Sequence, residues 1–264
     1  GQRVVFYRDA QGQARALQDR CPHRFVPLSL GKVCAGQVEC GYHGLRFGAD
    51  GRCSHNPHGD GRVPRAAAVR AYPVVERYTG LWIWMGDPDR ADSEVIPDFN
   101  QSMDPDKRVV GQGYLHVKAN YMLEVDNILD LSHIQYLHGS NVGSEAVAAA
   151  ETAIEQDGDV VHSKRLTRNE RLNPVLEQQY RLPPGQPVDR WLDTRWSAPA
   201  TMELWVGAAA VGSPDPRSVG KRQPYAHIFT PETERTTHYF FATSYPTRMG
   251  EEAVRRAAAD IEFL

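Results

Sequence analysis

"DRCPHR" (residues 19–24) and "CGYHGLRF" (residues 40–47) decide how this chain is read. Cys21 and His23 stand one residue apart, sixteen residues (24–39) follow, and Cys40 and His43 then stand two residues apart. Two thiolates and two imidazoles make a tetrahedral zinc set. They are equally the set of a [2Fe–2S] cluster that takes two Cys on one iron and two His on the other. The details favour iron. Each pair runs Cys then His, so two similar loops can grip a cluster from opposite sides, one iron facing each residue type. Pro22 stiffens the first loop. Gly41 and Gly44 bracket His43, where missing side chains let backbone N–H groups approach inorganic sulfur. Structural zinc stays as the alternative.

Outward from these loops, residues 1–88 read as an all-β module of short strands. "RVVFYRD" (3–9) and "ARALQD" (14–19) flank a turn at Asp9–Gly12, and "VRAYPVVE" (69–76) pairs with "GLWIWMG" (80–86). A stretch rich in Asp and Pro, "GDPDRADSEVIPDFNQSMDPDK" (86–107), connects to a second domain, 89–264. There, strands are expected at 108–119, 159–167, 191–197, 201–211, 224–230 and 236–245, with a long helix at 120–139 and a last helix from Gly250. Long strands around helices indicate an α+β fold. The chain opens inside a strand and closes inside a helical pattern, so both domains are expected to continue beyond it.

The 264 residues carry a net charge of −3 with 41% hydrophobic and 24% charged residues, an ordinary globular composition. No basic face for nucleic acid is expected, and the most apolar runs, 80–86 and 146–150, are too short to cross a bilayer. Of four cysteines, Cys34 and Cys53 are not needed for the cluster. They read as buried free thiols in a reducing cytoplasm rather than as a disulfide.

The 120–139 helix carries a second constellation. Met122, Val125 and Leu129 form an apolar stripe, while Asn127, Asp130 and His133 share one face. His138 lies roughly 140° around an ideal helix from His133. Both rings can reach one metal only if the helix ends or distorts there, and Gly139 supplies an end. Two His and a carboxylate form the facial triad of non-haem Fe(II) oxygenases.

The order of cluster motif, connector and Asn-x-x-Asp-x-x-His-x-x-x-x-His (127–138) resembles the oxygenase components of Rieske non-haem iron oxygenases. "CPHRFVPLS", "HNPHGDG", "YPVVER" and "HIFTPETERTTHYFF" (227–241) narrow the likeness to the vanillate, toluenesulfonate and dicamba oxygenase group, over nearly the whole chain. The resemblance implies a Rieske domain followed by a helix-grip catalytic domain, assembled as a ring-shaped homotrimer. It implies O₂-dependent O-demethylation or hydroxylation of a small aromatic acid, usually releasing a methyl group as formaldehyde, with a ferredoxin or flavin reductase as electron donor. Cys21, His23, Cys40 and His43 would hold the cluster, and His133 and His138 the mononuclear Fe(II). Asp130 would bridge the two centres, its carboxylate accepting from an iron-bound imidazole and meeting His43 of a neighbouring subunit. His227 and Asn127 would face the substrate.

The family's third iron ligand is an Asp shortly after a Phe in the last long helix. Here Phe263 is followed by Leu264 alone, so that ligand is expected beyond this numbering; Asp260, which precedes the Phe, is the weaker candidate. Glu251 and Glu252 read as helix-start charges, and His55 and His58 as loop residues. Arg165, Arg168 and Arg195 are candidates to hold a substrate carboxylate. Two rivals remain, a Rieske electron carrier without oxygenase chemistry and a ring-hydroxylating dioxygenase.

Overall fold

The structure, a computed structural model, describes residues 1–139 and 141–263, with side chains as far as Asp260. Two compact units divide between Ile96 and Pro97, within the Asp- and Pro-rich stretch and later than residue 88.

The first unit holds nine short strands: β1 (Val4–Arg8), β2 (Ala14–Gln18), β3 (Lys32–Cys34), β4 (Gln37–Glu39), β5 (Arg46–Phe47), β6 (Cys53–His55), β7 (Ala71–Tyr72), β8 (Val74–Arg77) and β9 (Gly80–Ile83). They form sheets β1-β2-β7, β3-β4-β5-β6 and β8-β9, all antiparallel. The β1–β2 turn closes because the Asp9 carboxylate accepts from the N–H groups of Gln11 and Gln13, both at 3.0 Å. Between the sheets Leu17, Leu28, Val38 and Phe47 pack into one core with Cys21 and Cys40. The cysteines that face the metal site are therefore anchored in the unit's apolar centre.

The second unit is one antiparallel sheet with helices. Its strands are β10 (Arg108–Val117), β11 (Glu151–Asp157), β12 (Val160–Glu170), β13 (Val188–Ser197), β14 (Thr201–Ala210), β15 (Lys221–Thr233) and β16 (Thr236–Pro246), in the order β10-β16-β15-β14-β13-β12-β11. The helices are α1 (Tyr121–Leu129), α2 (Ile134–Leu137), α3 (Glu145–Ala148), α4 (Pro174–Tyr180), α5 (Pro216–Val219) and α6 (Glu251–Phe263). The expected α+β class holds. Strand β11 escapes sequence reading because every one of its residues is exposed, so it has no buried face to produce alternation. Helix α4, also unread, starts at Pro174 with the Asn173 side chain accepting from Leu176 N–H at 3.0 Å.

The long helix expected at 120–139 is broken. It starts as the sequence indicates, with Asn120 as N-cap accepting from Met122 N–H at 3.0 Å. It stops at Leu129, because Asp130 leaves helical geometry at φ −102°, ψ 86°. A 3₁₀ turn (Leu131–His133) and α2 follow. Within α1 the expected apolar stripe is only partly buried: Val125 is at 1% exposure and Leu129 is half-buried, but Met122, in the first turn, is 40% exposed.

Because α1 carries the second site, its cap has a measurable weight. Asn120→Ala should cost about 1 kcal/mol in urea unfolding. Asn120→Asp should recover most of that while losing the 3.0 Å donation from Asn120 Nδ2 to the Glu234 carbonyl. Equal stability of wild type and Asn120→Ala would remove the cap from the account of α1.

Candidate metal centres

In the first unit the two ligand loops share one construction. Cys21 N–H donates to Val26 O at 2.9 Å and Phe25 N–H returns to Cys21 O at 2.9 Å. Cys40 N–H donates to Leu45 O at 2.8 Å and Gly44 N–H returns to Cys40 O at 3.0 Å. The fourth residue after each cysteine takes a left-handed φ, 62° at Phe25 and 72° at Gly44. Glycine is suited to that conformation; phenylalanine is strained there. The Arg20 guanidinium, 4.1 Å from the Phe25 ring centroid, helps hold it.

These loops sort the four side chains by type. The Cys21 and Cys40 side chains are neighbours, and both residues are buried to 2% exposure. The rings of His23 and His43 lie 4.5 Å apart between centroids, on the more exposed side. Chain neighbours are Cys and His; spatial neighbours are Cys–Cys and His–His. Among the described residues no three His, Cys, Asp or Glu side chains gather into a set for one metal ion. A two-iron cluster needs one pair at each iron, which this arrangement fits, whereas a single tetrahedral zinc needs all four together. Burial raises the Cys21 thiol pKa, a cost that thiolate coordination offsets. Desolvation, then the nearby His23, His58 and Arg24, hold the His43 pKa down, keeping the imidazole neutral as a ligand must be. His58 has a specific loop role: its Nε2–H donates to the His43 carbonyl at 2.9 Å. Cys34 and Cys53 are unbridged and only half-buried, not buried as expected.

In the second unit the helix break creates the other constellation. A helix end leaves carbonyls without donors. Thr194 Oγ1 on β13 donates to Ile128 O at 3.3 Å, and Ser163 Oγ on β12 donates to Leu129 O at 3.2 Å. The Asp130 carbonyl is taken by His133 Nδ1 at 2.6 Å. A carbonyl only accepts, so Nδ1 carries the proton and Nε2 keeps its lone pair for a metal. The His138 ring stands 5.6 Å from that of His133, at 70° between planes. Two imidazoles at this spacing, one with its tautomer set, fit a mononuclear metal.

Asp130 differs from expectation. Its side chain is 69% exposed, and its backbone oxygen rather than its carboxylate meets His133. Asp130 Oδ1 accepts from Ser132 N–H at 3.0 Å and lies 3.6 Å from Arg165. The Ser132 bonds, ahead of the charge of Arg165, hold its pKa below the usual carboxylate value. Asn127 is exposed and no longer shares a face with His133, because the break intervenes.

His227 on β15 is buried at 2% exposure, stacked near Phe229 and Tyr239. Its Nδ1 pairs with the Tyr239 hydroxyl at 2.7 Å, and its Nε2 has no partner among the described residues. A buried ring nitrogen left unpaired is costly unless a ligand completes it. The three candidate arginines are engaged elsewhere. Arg165 donates to Val147 O at 2.9 Å, Arg168 to Asp189 at 3.1 Å, and Arg195 pairs with Glu203 at 3.1 Å. Arg195 also neighbours Thr194, whose side chain faces α1, so strand alternation turns Arg195 to the opposite face. Asp260 has its own partners: Tyr245 donates to Oδ2 at 2.8 Å and Tyr225 at 3.2 Å. A third iron ligand beyond residue 264, and Leu264 itself, fall outside the described residues.

Comparison with known proteins follows the same division. Residues 1–73 match the Rieske [2Fe-2S] domain, and residues 117–262 match the vanillate O-demethylase oxygenase C-terminal domain. The oxygenase component of dicamba O-demethylase from Stenotrophomonas maltophilia is 43% identical over 242 residues, 91% of this chain and 70% of that protein. The oxygenase component of chloroacetanilide N-alkylformylase from Rhizorhabdus wittichii is 39% identical, over 92% of this chain and 69% of that protein. A crystal structure of dicamba monooxygenase with non-heme iron and dicamba superposes with TM-score 0.76 at 37% identity, covering 92% of this chain and 69% of that one.

Burial at His227 makes stability depend on pH. Desolvation lowers its folded pKa from 6.5 to about 4, so below pH 6.5 the unfolded chain takes up the proton first. Its contribution is complete above pH 6.5 and is lost as pH falls toward 4. Between pH 7 and pH 5 the loss should be about 2 kcal/mol. In urea unfolding, His227→Gln should flatten that part of the profile; an unchanged profile would show that His227 titrates normally.

Proposed function

This chain belongs to the Rieske non-haem iron oxygenases of the vanillate and dicamba O-demethylase group, and we propose that it removes a methyl group, as formaldehyde, from a small aromatic acid. The net reaction takes an aryl methyl ether, O₂, two electrons and two protons to a phenol, formaldehyde and water. A ferredoxin or flavin reductase supplies the electrons. Bound in these sites, the cluster passes single electrons and the mononuclear Fe(II) activates dioxygen.

The residues divide the remaining work. Cys21 and Cys40 hold the cluster's buried side, and His23 and His43 its exposed edge, where electrons enter and leave. His133 and His138 hold the iron. His227 orients the acid: with the Tyr239 hydroxyl donating to Nδ1, the ring proton sits on Nε2 and points at a substrate oxygen. Being neutral at pH 7, His227 gives up no buried charge when it does so. Asn127, exposed on α1, is the second proposed substrate contact. The observation that carries the oxygenase reading is the His133 tautomer, set by the Asp130 carbonyl beside a second imidazole. An electron carrier has no use for that pair.

The working form in this proposal is a ring-shaped homotrimer. Large apolar side chains stand exposed around both centres, Phe25, Leu30 and Tyr42 at the cluster loops and Tyr136 and Leu137 beside His138. Such patches mark surfaces that a partner covers. The exposed Asp130 carboxylate then bridges to His43 of a neighbouring subunit. Among the described residues no helix is long and apolar enough to cross a membrane. The unbridged cysteines agree with a cytoplasmic setting.

Turnover against a panel of methoxy- and methyl-substituted benzoates and sulfonates, scored by formaldehyde, tests the reaction. Ring diols without formaldehyde would favour ring dioxygenation instead. His133→Ala should abolish product while the reddish-brown cluster absorbance stays within about 10% of wild type; near wild-type turnover would exclude this iron site.

The bridge has its own test. Cys40→Ser and His133→Ala chains, each inactive alone, should regain partial activity when co-expressed as mixed trimers. Mixed trimers verified by mass spectrometry yet fully inactive would rule out electron transfer between subunits.

A further inference from the structure

Behind His138 lies a buried ion pair. Arg190 on β13 and Glu170 at the end of β12 are each 1% exposed in their side chains, with Nη1 and Oε1 3.3 Å apart. Burying two charges gains little stability over an apolar pair of the same volume, so such a pair often reports a need for specific geometry. Thr167 Oγ1, on the same strand as Glu170, donates to Glu170 Oε2 at 2.5 Å and anchors the pair, whose remaining bonds share one target. Arg190 Nη2 donates to the Val142 carbonyl at 2.9 Å, and Glu170 Oε1 accepts from the Ser144 hydroxyl at 2.6 Å. Both bonds land on the segment that follows His138.

That segment holds His138 in turn. The His138 carbonyl accepts three backbone N–H groups, from Asn141 at 3.0 Å, Val142 at 3.1 Å and Gly143 at 2.9 Å. Gly143 fits so closely that a Cβ there would stand 2.0 Å from the Ile134 carbonyl oxygen. Asn173 Nδ2 adds a donation to the Asn141 carbonyl at 2.7 Å. The His138 side chain is exposed and makes no hydrogen bond among the described residues. Its ring is therefore placed through its backbone, unlike the ring of His133, which is held by its own Nδ1.

We infer that Arg190 and Glu170 are positioning residues for His138: the buried pair clamps residues 142–144, and the three N–H groups of that segment fix the carbonyl, and so the ring, of the iron ligand. This rests on the reading of His138 as an iron ligand. Loosening the clamp should weaken metal binding at the histidine pair without touching the cluster. Lost supporting contacts of ligands typically cost metal affinity about 10- to 100-fold.

The test uses cluster-loaded protein stripped of its mononuclear iron and titrated with Co(II), whose visible d–d bands report ligand geometry. Glu170→Gln should bind Co(II) at least about tenfold more weakly, with altered bands and unchanged cluster absorbance. Because that substitution disturbs a buried pair and can unfold the chain, Ser144→Ala serves as the milder variant. It should weaken binding in the same direction, and Ser144→Thr, which keeps the hydroxyl, should restore it. Folded Ser144→Ala or Glu170→Gln with wild-type Co(II) affinity and bands would overturn the inference. A His138→Ala control separates the two readings. If it leaves Co(II) binding unchanged, the ligand assignment itself fails; if it abolishes binding while both clamp variants bind normally, only the clamp fails.

Discussion

Three consecutive carbonyls, those of Ile128, Leu129 and Asp130, stand where α1 stops, and each takes a different side-chain donor. Thr194 and Ser163 reach up from the sheet for the first two. The third takes the imidazole of His133. An unsatisfied carbonyl near a protein's interior costs as much as a lost hydrogen bond. Ending the helix and setting the His133 tautomer are thus one event. Asp130 is the residue from which the 3₁₀ turn starts, so its carbonyl stands at the head of that turn and takes the imidazole there. The histidine pair depends on the sheet accepting a broken helix.

The first unit solves a similar problem by repetition. Two loops with the same pair of backbone hydrogen bonds bring like ligands together from unlike sequence neighbours. One loop uses glycine at its left-handed position and the other phenylalanine, so the conformation follows from the backbone closure more than from the residue. The cysteines point into the apolar core and the histidines outward, which gives the site an electrically insulated side and an accessible one.

Burial separates the remaining polar groups by role. His227 keeps an unpaired nitrogen at a buried position, where only a ligand can complete it. Asp260 is surrounded by phenols that donate to it, yet desolvation still raises its pKa, so it is a self-contained network. Glu203 is raised for the same leading reason and tied to Ser102 and Arg195 on the sheet face away from α1. Chemistry-bearing residue types are common in this chain; His227 combines full burial, a neutral ring and an unpaired nitrogen.

Spacing alone made the cysteine and histidine pairs legible, because ligand identity and separation are constrained by metal chemistry before any fold exists. The α+β class was legible too, from alternation in the strands and from Asn120 as a cap. What the sequence could not carry was anything set by a partner distant in the chain. The stop at Asp130 needs donors from β12 and β13, the outward turn of Arg195 needs the sheet register, and the exposed β11 needs β12 beside it. Arg190 and Glu170 look like strand-surface charges in one dimension; only packing makes them a buried pair behind His138. Local chemistry is written in neighbouring residues, whereas burial and hydrogen-bond completion depend on which strands meet, and that was decided only by the tertiary structure.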